Sequence, residues 1–123
     1  MKSKLKGIKR ILKAFIYSYD GFKAAFKSEA AFRQDIFFCL VFGASLFFMP
    51  FSPFQSALIV FSLFFILFAE LTNTAVETAI DRIGDEYNDL SKKAKDIGSS
   101  IVLLSFINFF TVYGIFLYAV CFN

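Results

Sequence analysis

The sequence predicts an all-α integral membrane protein, with three transmembrane helices preceded by an amphipathic helix at the membrane interface, all in one domain. Three observations carry this. The stretches Ile36 to Ala69 and Ile97 to Asn123 contain no Lys, Arg, Asp or Glu. Hydrophobic residues make up 58% of the chain, 20 of its 123 residues are Phe and mean hydropathy is +0.64, too apolar for a small soluble domain. Nine of the thirteen basic residues fall in the first 33 positions of a chain whose net charge is only +3, a bias suited to an anionic membrane surface and not to nucleic acid.

The first element, expected over about 4–27, repeats Leu5, Ile8, Leu12, Phe15, Ile16, Tyr19 and Phe22 at helical spacing, with Lys4, Lys6, Lys9, Arg10 and Lys13 elsewhere on the wheel. That pattern suits a helix lying in the inner interface; the competing account is a basic arm that only sets topology. A helix over about 30–50 follows, its apolar part closing at Pro50-Phe51-Ser52-Pro53. It reaches the roughly 20 residues needed to span only if the turns before Asp35 or the proline bend are counted. The next, about 54–83, starts behind Pro53, a good first-turn residue. The last, about 95–122, is uncharged from Ile97 onward and long enough to cross. No cleavable signal peptide is visible, because the N-terminus stays charged too long before any apolar core.

The Pro50–Pro53 bend carries no charge, whereas the N-terminal segment and the Arg82 to Asp96 connection hold nearly all the Lys and Arg. Basic loops stay on the cytoplasmic side, so the N-terminus is expected inside and the C-terminus outside.

Glu70, Asn73, Glu77 and Asp81 share one helix face. Sixteen residues separate Phe54 from Glu70, roughly 24 Å of helix, which brings Glu70 near the inner edge of a ~30 Å hydrocarbon core. Acidic groups at that depth are expensive and mark a functional site by default. Glu77 lies about 10 Å nearer the cytoplasm and Asp81 one turn beyond. Against that reading, these carboxylates would pair with Arg33, Arg82 or Lys95, or hydrogen-bond between subunits. In the connection, Gly84 is placed to end a helix in a left-handed cap and Asp89 or Ser91 to start the next. Lys95-Asp96 abuts the last apolar run, where it either handles phosphate or simply anchors the helix.

The chain contains no His, so acid–base chemistry falls to carboxylates or Lys. Cys39 and Cys121 sit in apolar segments without ligand spacing and read as buried thiols. Neither a P-loop nor a protein-kinase motif is present. Phosphoryl transfer nevertheless needs only positioning, a metal to spread phosphate charge and a group to orient the hydroxyl.

The stretches Glu29-Ala30-Ala31-Phe32-Arg33-Gln34, Ala69-Glu70-Leu71-Thr72-Asn73-Thr74-Ala75-Val76-Glu77-Thr78-Ala79-Ile80-Asp81-Arg82-Ile83-Gly84 and Glu86-Tyr87, with Ala94-Lys95-Asp96 and Gly98-Ser99, resemble the small bacterial integral-membrane diacylglycerol kinases over essentially the whole chain. The resemblance implies ATP-dependent phosphorylation of diacylglycerol to phosphatidic acid in the bacterial inner membrane, in phospholipid recycling, by a homotrimer with composite sites between subunits. It implies Glu70 as general base and Asn73 as the residue that orients the site. Glu29 and Glu77 would hold Mg²⁺ against the ATP phosphates. Arg10, Tyr17, Lys95 and Asp96, with Glu86, Tyr87 and Asn88, would contact the nucleotide; Arg10, Ala14, Ser99 and the segment Ala31, Phe32, Arg33, Gln34 and Asp35 would border the lipid. Partner subunits agree with independent physics, since three helices enclose too little space to shield a polar site from lipid.

Two departures stand out. Asp35 occupies a position where the family carries Glu, and the positions often occupied by Trp are Tyr19, Phe26, Phe48, Tyr113 and Tyr118, leaving interfacial anchoring to Tyr and the lysines. An undecaprenol kinase of the same family is the alternative within chemistry. A proton or cation conduit lined by Glu70 and Glu77 is the alternative outside it, followed by a scaffold without chemistry.

Overall fold

The computed structural model describes residues 6–122 and, among them, contains four helices and no strand: α1 (Ile8–Ser28), α2 (Ala30–Ser45), α3 (Pro53–Ile83) and α4 (Asp89–Phe122). Lys4 and Leu5, counted above in the amphipathic helix, lie outside the described residues. Ile8, Ile11, Leu12, Phe15, Ile16, Tyr19, Phe22 and Phe26 of α1 are all exposed, and Ala25 is its one buried residue. The chain thus leaves the apolar face of α1 uncovered, as a helix that beds in an interface requires.

Glu29 separates α1 from α2 with extended backbone (φ −115°, ψ 107°), and Arg33 reaches back to clamp the junction. Its Nη1 donates to the carbonyls of Phe26 and Lys27 (3.1 Å to the latter), satisfying the orphan end of α1 with a cation where the helix dipole favours one. The helix expected over 30–50 ends at Ser45 and continues through Phe48 only as tight turns, Leu46, Phe47 and Phe48 donating to carbonyls three residues earlier. Pro50 disfavours helical backbone in Met49, so the α-helix cannot run on to that point. At 16 residues α2 is about 24 Å long.

Ser52 caps α3: its side chain accepts from Gln55 N at 3.1 Å while Gln55 Oε1 accepts from Ser52 N at 2.9 Å, and Pro53 takes the first helical position. At 31 and 34 residues, α3 and α4 are each long and apolar enough to cross a membrane and are the two helices here that are. Lengths of about 46 and 51 Å exceed a ~30 Å hydrocarbon core, so their charged ends must project beyond it. Gly84, expected as a left-handed cap, is instead extended (φ 161°), because the chain leaves α3 straight into the loop. The last helix starts at Asp89, six residues ahead of the expected 95, because Asn88 Oδ1 accepts from Leu90 N (2.9 Å) and Ser91 N (3.2 Å) and caps it.

α3 and α4 pack along their lengths, with small residues at the seam: Ser62, Ala69, Gly98 and Ser105 are buried. Such residues let helix backbones approach where lipid offers no hydrophobic drive. The Ser62 and Ser105 hydroxyls spend their protons on carbonyls of their own helices, Leu58 O and Val102 O. α2 meets α4 through aromatic side chains, Phe38 and Phe42 lying edge-on to Phe109 with centroids 5.3 and 4.9 Å apart. Ser45 Oγ gives its single proton to Phe42 O, so Tyr113 donates its own to Ser45 Oγ across 2.9 Å. Tyr113 thus packs, half-buried, against the core cluster of Ile59, Leu63, Ile66 and Phe109, whereas Tyr19, Phe26, Phe48 and Tyr118 lie exposed.

Candidate active site

α2 and α3 form a hairpin, and the hairpin brings Asp35 and Glu70 together. Both are buried, at 9% and 5% exposure, with their carboxyls within hydrogen-bond reach of each other. Two carboxyls form a hydrogen bond only with a proton between them, so a pair at this distance can share one proton and place it on either side. Asp35 Oδ2 is buried and has no hydrogen-bond donor among the described residues. Asp35 thus faces the protein, as does Phe32 one turn earlier, whereas Ala31, Arg33 and Gln34 are exposed; the segment expected to border the lipid divides by helix face.

Further along the same face of α3, Asn73 Nδ2 donates to Glu77 Oε1 at 3.4 Å, while Asn73 Oδ1 is buried and unpartnered beside Gly98 of α4. Thr74 Oγ1 is likewise buried without a partner. Glu29 and Glu77 are near enough for their charges to act on Glu70. The Glu29 carboxylate takes no part in capping α2, and among the described residues it accepts a hydrogen bond from Ser28 Oγ at 3.5 Å. Among the described residues no three His, Cys, Asp or Glu side chains converge as a metal site. Two largely unspent carboxylates nevertheless fit Mg²⁺ beside a nucleotide, because Mg²⁺ commonly takes one or two carboxylates and draws its other oxygens from phosphates and water.

Beyond Glu77 the projecting ends of α3 and α4, with the loop between them, enclose a cleft of about 340 Å³. Glu86, Tyr87, Asn88, Lys95 and Asp96, five of the expected nucleotide contacts, line it, together with Asp81 and Lys92, which sequence reasoning did not place there. Lys95 Nζ donates to Asp81 Oδ1 at 2.7 Å and Lys92 Nζ to Asp96 Oδ2 at 2.6 Å. A hydrogen bond to Asp89 holds the exposed Tyr87 phenol above its usual range. A polyphosphate entering here finds two lysines on flexible stems, each paired with a carboxylate it can exchange for phosphate oxygen.

Arg10, Ala14 and Tyr17 sit on the exposed part of α1 and do not line this cleft, and Ser99 is exposed on α4. Tyr17 is twelve residues from Glu29, roughly 18 Å along the helix. One chain therefore assembles the carboxylate ladder and the cleft but leaves the α1 residues apart from both.

Residues 16–117 match the family described as prokaryotic diacylglycerol kinase. A diacylglycerol kinase of Helicobacter pylori strain J99 is 39% identical to this chain over 98% of its length and 94% of the relative's. One from Escherichia coli K12 is 37% identical over 87% of this chain and 88% of its own. A third, from Pseudomonas aeruginosa, is 44% identical over 76% of each. The chain belongs to the prokaryotic diacylglycerol kinase family.

Proposed function

We propose that this bacterial membrane protein is an ATP-dependent diacylglycerol kinase that makes phosphatidic acid, and that its polar end faces the cytoplasm. The observation that carries the reading is the row of polar side chains along one face of α3, from Glu70 beside the buried Asp35, through the hydrogen-bonded Asn73 and Glu77, to Asp81 at the charged cleft. Glu70 and Asp81 are eleven residues apart on one helix, about 16 Å, which links the depth of a lipid hydroxyl to that of a water-soluble nucleotide.

With the shared proton on Asp35, Glu70 is the carboxylate and accepts the proton of the lipid hydroxyl. The hydroxyl oxygen forms its bond to the γ-phosphorus as the bond from that phosphorus to the bridging oxygen breaks, releasing ADP. Glu29 and Glu77 would hold Mg²⁺, which when bound spreads the phosphate charge. Asn73 steers Glu77 through its amide, and the cleft lysines turn from Asp81 and Asp96 toward phosphate. α2 would supply the first of three crossings, with the N-terminus cytoplasmic, the C-terminus periplasmic and α1 resting among the membrane lipids of the inner leaflet. Arg10, Ala14 and Tyr17 reach a site when α1 of one subunit packs beside the cleft of another, which a homotrimer with composite sites would achieve.

The test is ³²P transfer from Mg²⁺-ATP by purified protein in detergent, with diacylglycerol and undecaprenol offered side by side and Glu70→Gln as control. Labelled phosphatidic acid that vanishes in the variant supports the reading. Preferential labelling of the polyprenol would move the protein to the other lipid substrate. No transfer to either lipid from a folded oligomer would return the acidic ladder to the role of a conduit.

A further inference from the structure

We infer that Gly98 is a positioning residue for the phosphoryl transfer: by carrying no side chain, it leaves the space that the Asn73 carboxamide occupies and so fixes how that amide meets Glu77. Gly98 is buried within α4 and faces Asn73 across the α3–α4 seam. It is the one glycine of the six at which a Cβ would meet anything; Gly7, Gly21, Gly43, Gly84 and Gly114 have nothing within 4 Å. Backbone conformation does not call for glycine at this position, since among the described residues only Gly7 lies in the left-handed region that favours glycine. A glycine inside a helix is disfavoured relative to alanine, so its presence here needs a packing reason.

The neighbouring atoms supply that reason. A Cβ at Gly98 would overlap Asn73 Oδ1 and lie 3.4 Å from Asn73 Cγ, but would stand 3.8 Å from Asn73 Cα, an ordinary contact. The helices would not have to separate; the end of the Asn73 side chain would have to turn. In place, Asn73 directs Nδ2 at Glu77 Oε1 and leaves Oδ1 against the bare Gly98 backbone without a partner. The reversed amide would aim a carbonyl oxygen at a carboxylate, so chemistry permits only the first orientation. An added methyl removes the space for Oδ1 and rotates Nδ2 away from Glu77. The consequence falls on the site and not on the fold.

This inference rests on the reading of Asn73 as the group that orients the site, and the experiment separates the two. Gly98→Ala, Asn73→Ala, the double variant and Gly114→Ala are made in the full chain, and kcat, the Mg²⁺ dependence of turnover and the thermal unfolding midpoint are measured for each. Misplacement by a fraction of an ångström to one ångström predicts a fall in kcat of about tenfold or more for Gly98→Ala. Its Mg²⁺ requirement should rise in the same direction as that of Asn73→Ala, with an unfolding midpoint no lower than the parent's. Gly114→Ala should match the parent throughout. In the Asn73→Ala background the Gly98 substitution should change residual turnover by less than about twofold, because both act through one side chain. Parental turnover in Gly98→Ala alongside a crippled Asn73→Ala overturns the inference and leaves the reading of Asn73 standing. Parental turnover in Asn73→Ala overturns both. A lowered unfolding midpoint in Gly98→Ala, or losses that multiply in the double variant, makes Gly98 a packing residue and overturns the inference.

Discussion

The two polar regions of this molecule satisfy their charges in opposite ways. In the cleft above the bundle the lysines are open to solvent and partnered: Lys95 with Asp81, and Lys92 with Asp96 one helical turn away. Near Glu70 the carboxyls of Asp35 and Glu70 are buried, and among the described residues Asp35 Oδ2, Asn73 Oδ1 and Thr74 Oγ1 find no hydrogen-bond partner. Water meets the needs of the first region whatever its geometry, so its ion pairs contribute little to the fold and are easily exchanged for a ligand's oxygens. Bulk water does not reach the second in the same way, and an unpaired polar group there costs free energy. The cleft is thus built to exchange its partners and the buried cluster to hold its geometry, which is the division expected between binding a nucleotide and moving a proton.

Mutations can break this division or sharpen it. The largest effect should come from Glu70→Gln, which keeps shape and removes the proton acceptor; turnover should fall by about 10²–10⁴-fold with nucleotide binding largely intact. Collapse of ATP binding in that variant would place Glu70 with the nucleotide instead. Glu77→Gln should raise the Mg²⁺ needed for half-maximal turnover by about 10–100-fold, and an unchanged Mg²⁺ titration would count against ligation.

Asp35→Asn keeps a donor for Glu70 but cannot take up or release the shared proton. We expect roughly a tenfold loss of turnover, with Asp35→Glu recovering most of it, because the two carboxyls work as one network. Equal activity in Asp35→Asn and the parent would reduce Asp35 to a packing residue. Lys95→Met, in the exposed region, should raise the KM for ATP by about tenfold and leave kcat within a few-fold, the signature of lost uniform binding. The smallest effect belongs to Lys92→Ala, which removes an exposed pair four residues apart and should shift stability by no more than about 0.5 kcal/mol in thermal unfolding. A larger loss would mean that the cleft supports the fold after all.

Some of the buried cluster was legible in advance. Glu70, Asn73 and Glu77 share a face by helical period alone, and the depth of Glu70 follows from the length of apolar helix before it. The Asp35–Glu70 contact also left a trace, since these two carboxylates bracket the uncharged run Ile36 to Ala69, and a run that doubles back at Pro50–Pro53 brings its ends together. Reading Asp35 only as a lipid-bordering residue overlooked that symmetry. The start of α4 was legible only in part: Asp89 and Ser91 mark where it begins, but the folded loop makes their neighbour Asn88 the cap.

By itself the sequence determined the helical class, the amphipathic first element, the long apolar third and fourth helices and the acidic face of α3, because each depends on neighbours within a few residues and on the free energy of placing charge in lipid. The tertiary structure alone decided that Tyr113 packs against the core, that Arg33 clamps α1, that Lys95 pairs with Asp81 and that Gly98 makes room for Asn73. Each of these is a contact between side chains far apart along the chain, or at a junction whose backbone leaves the helix. No periodicity encodes such contacts; they exist only once the helices have packed and their rotations about their own axes are set.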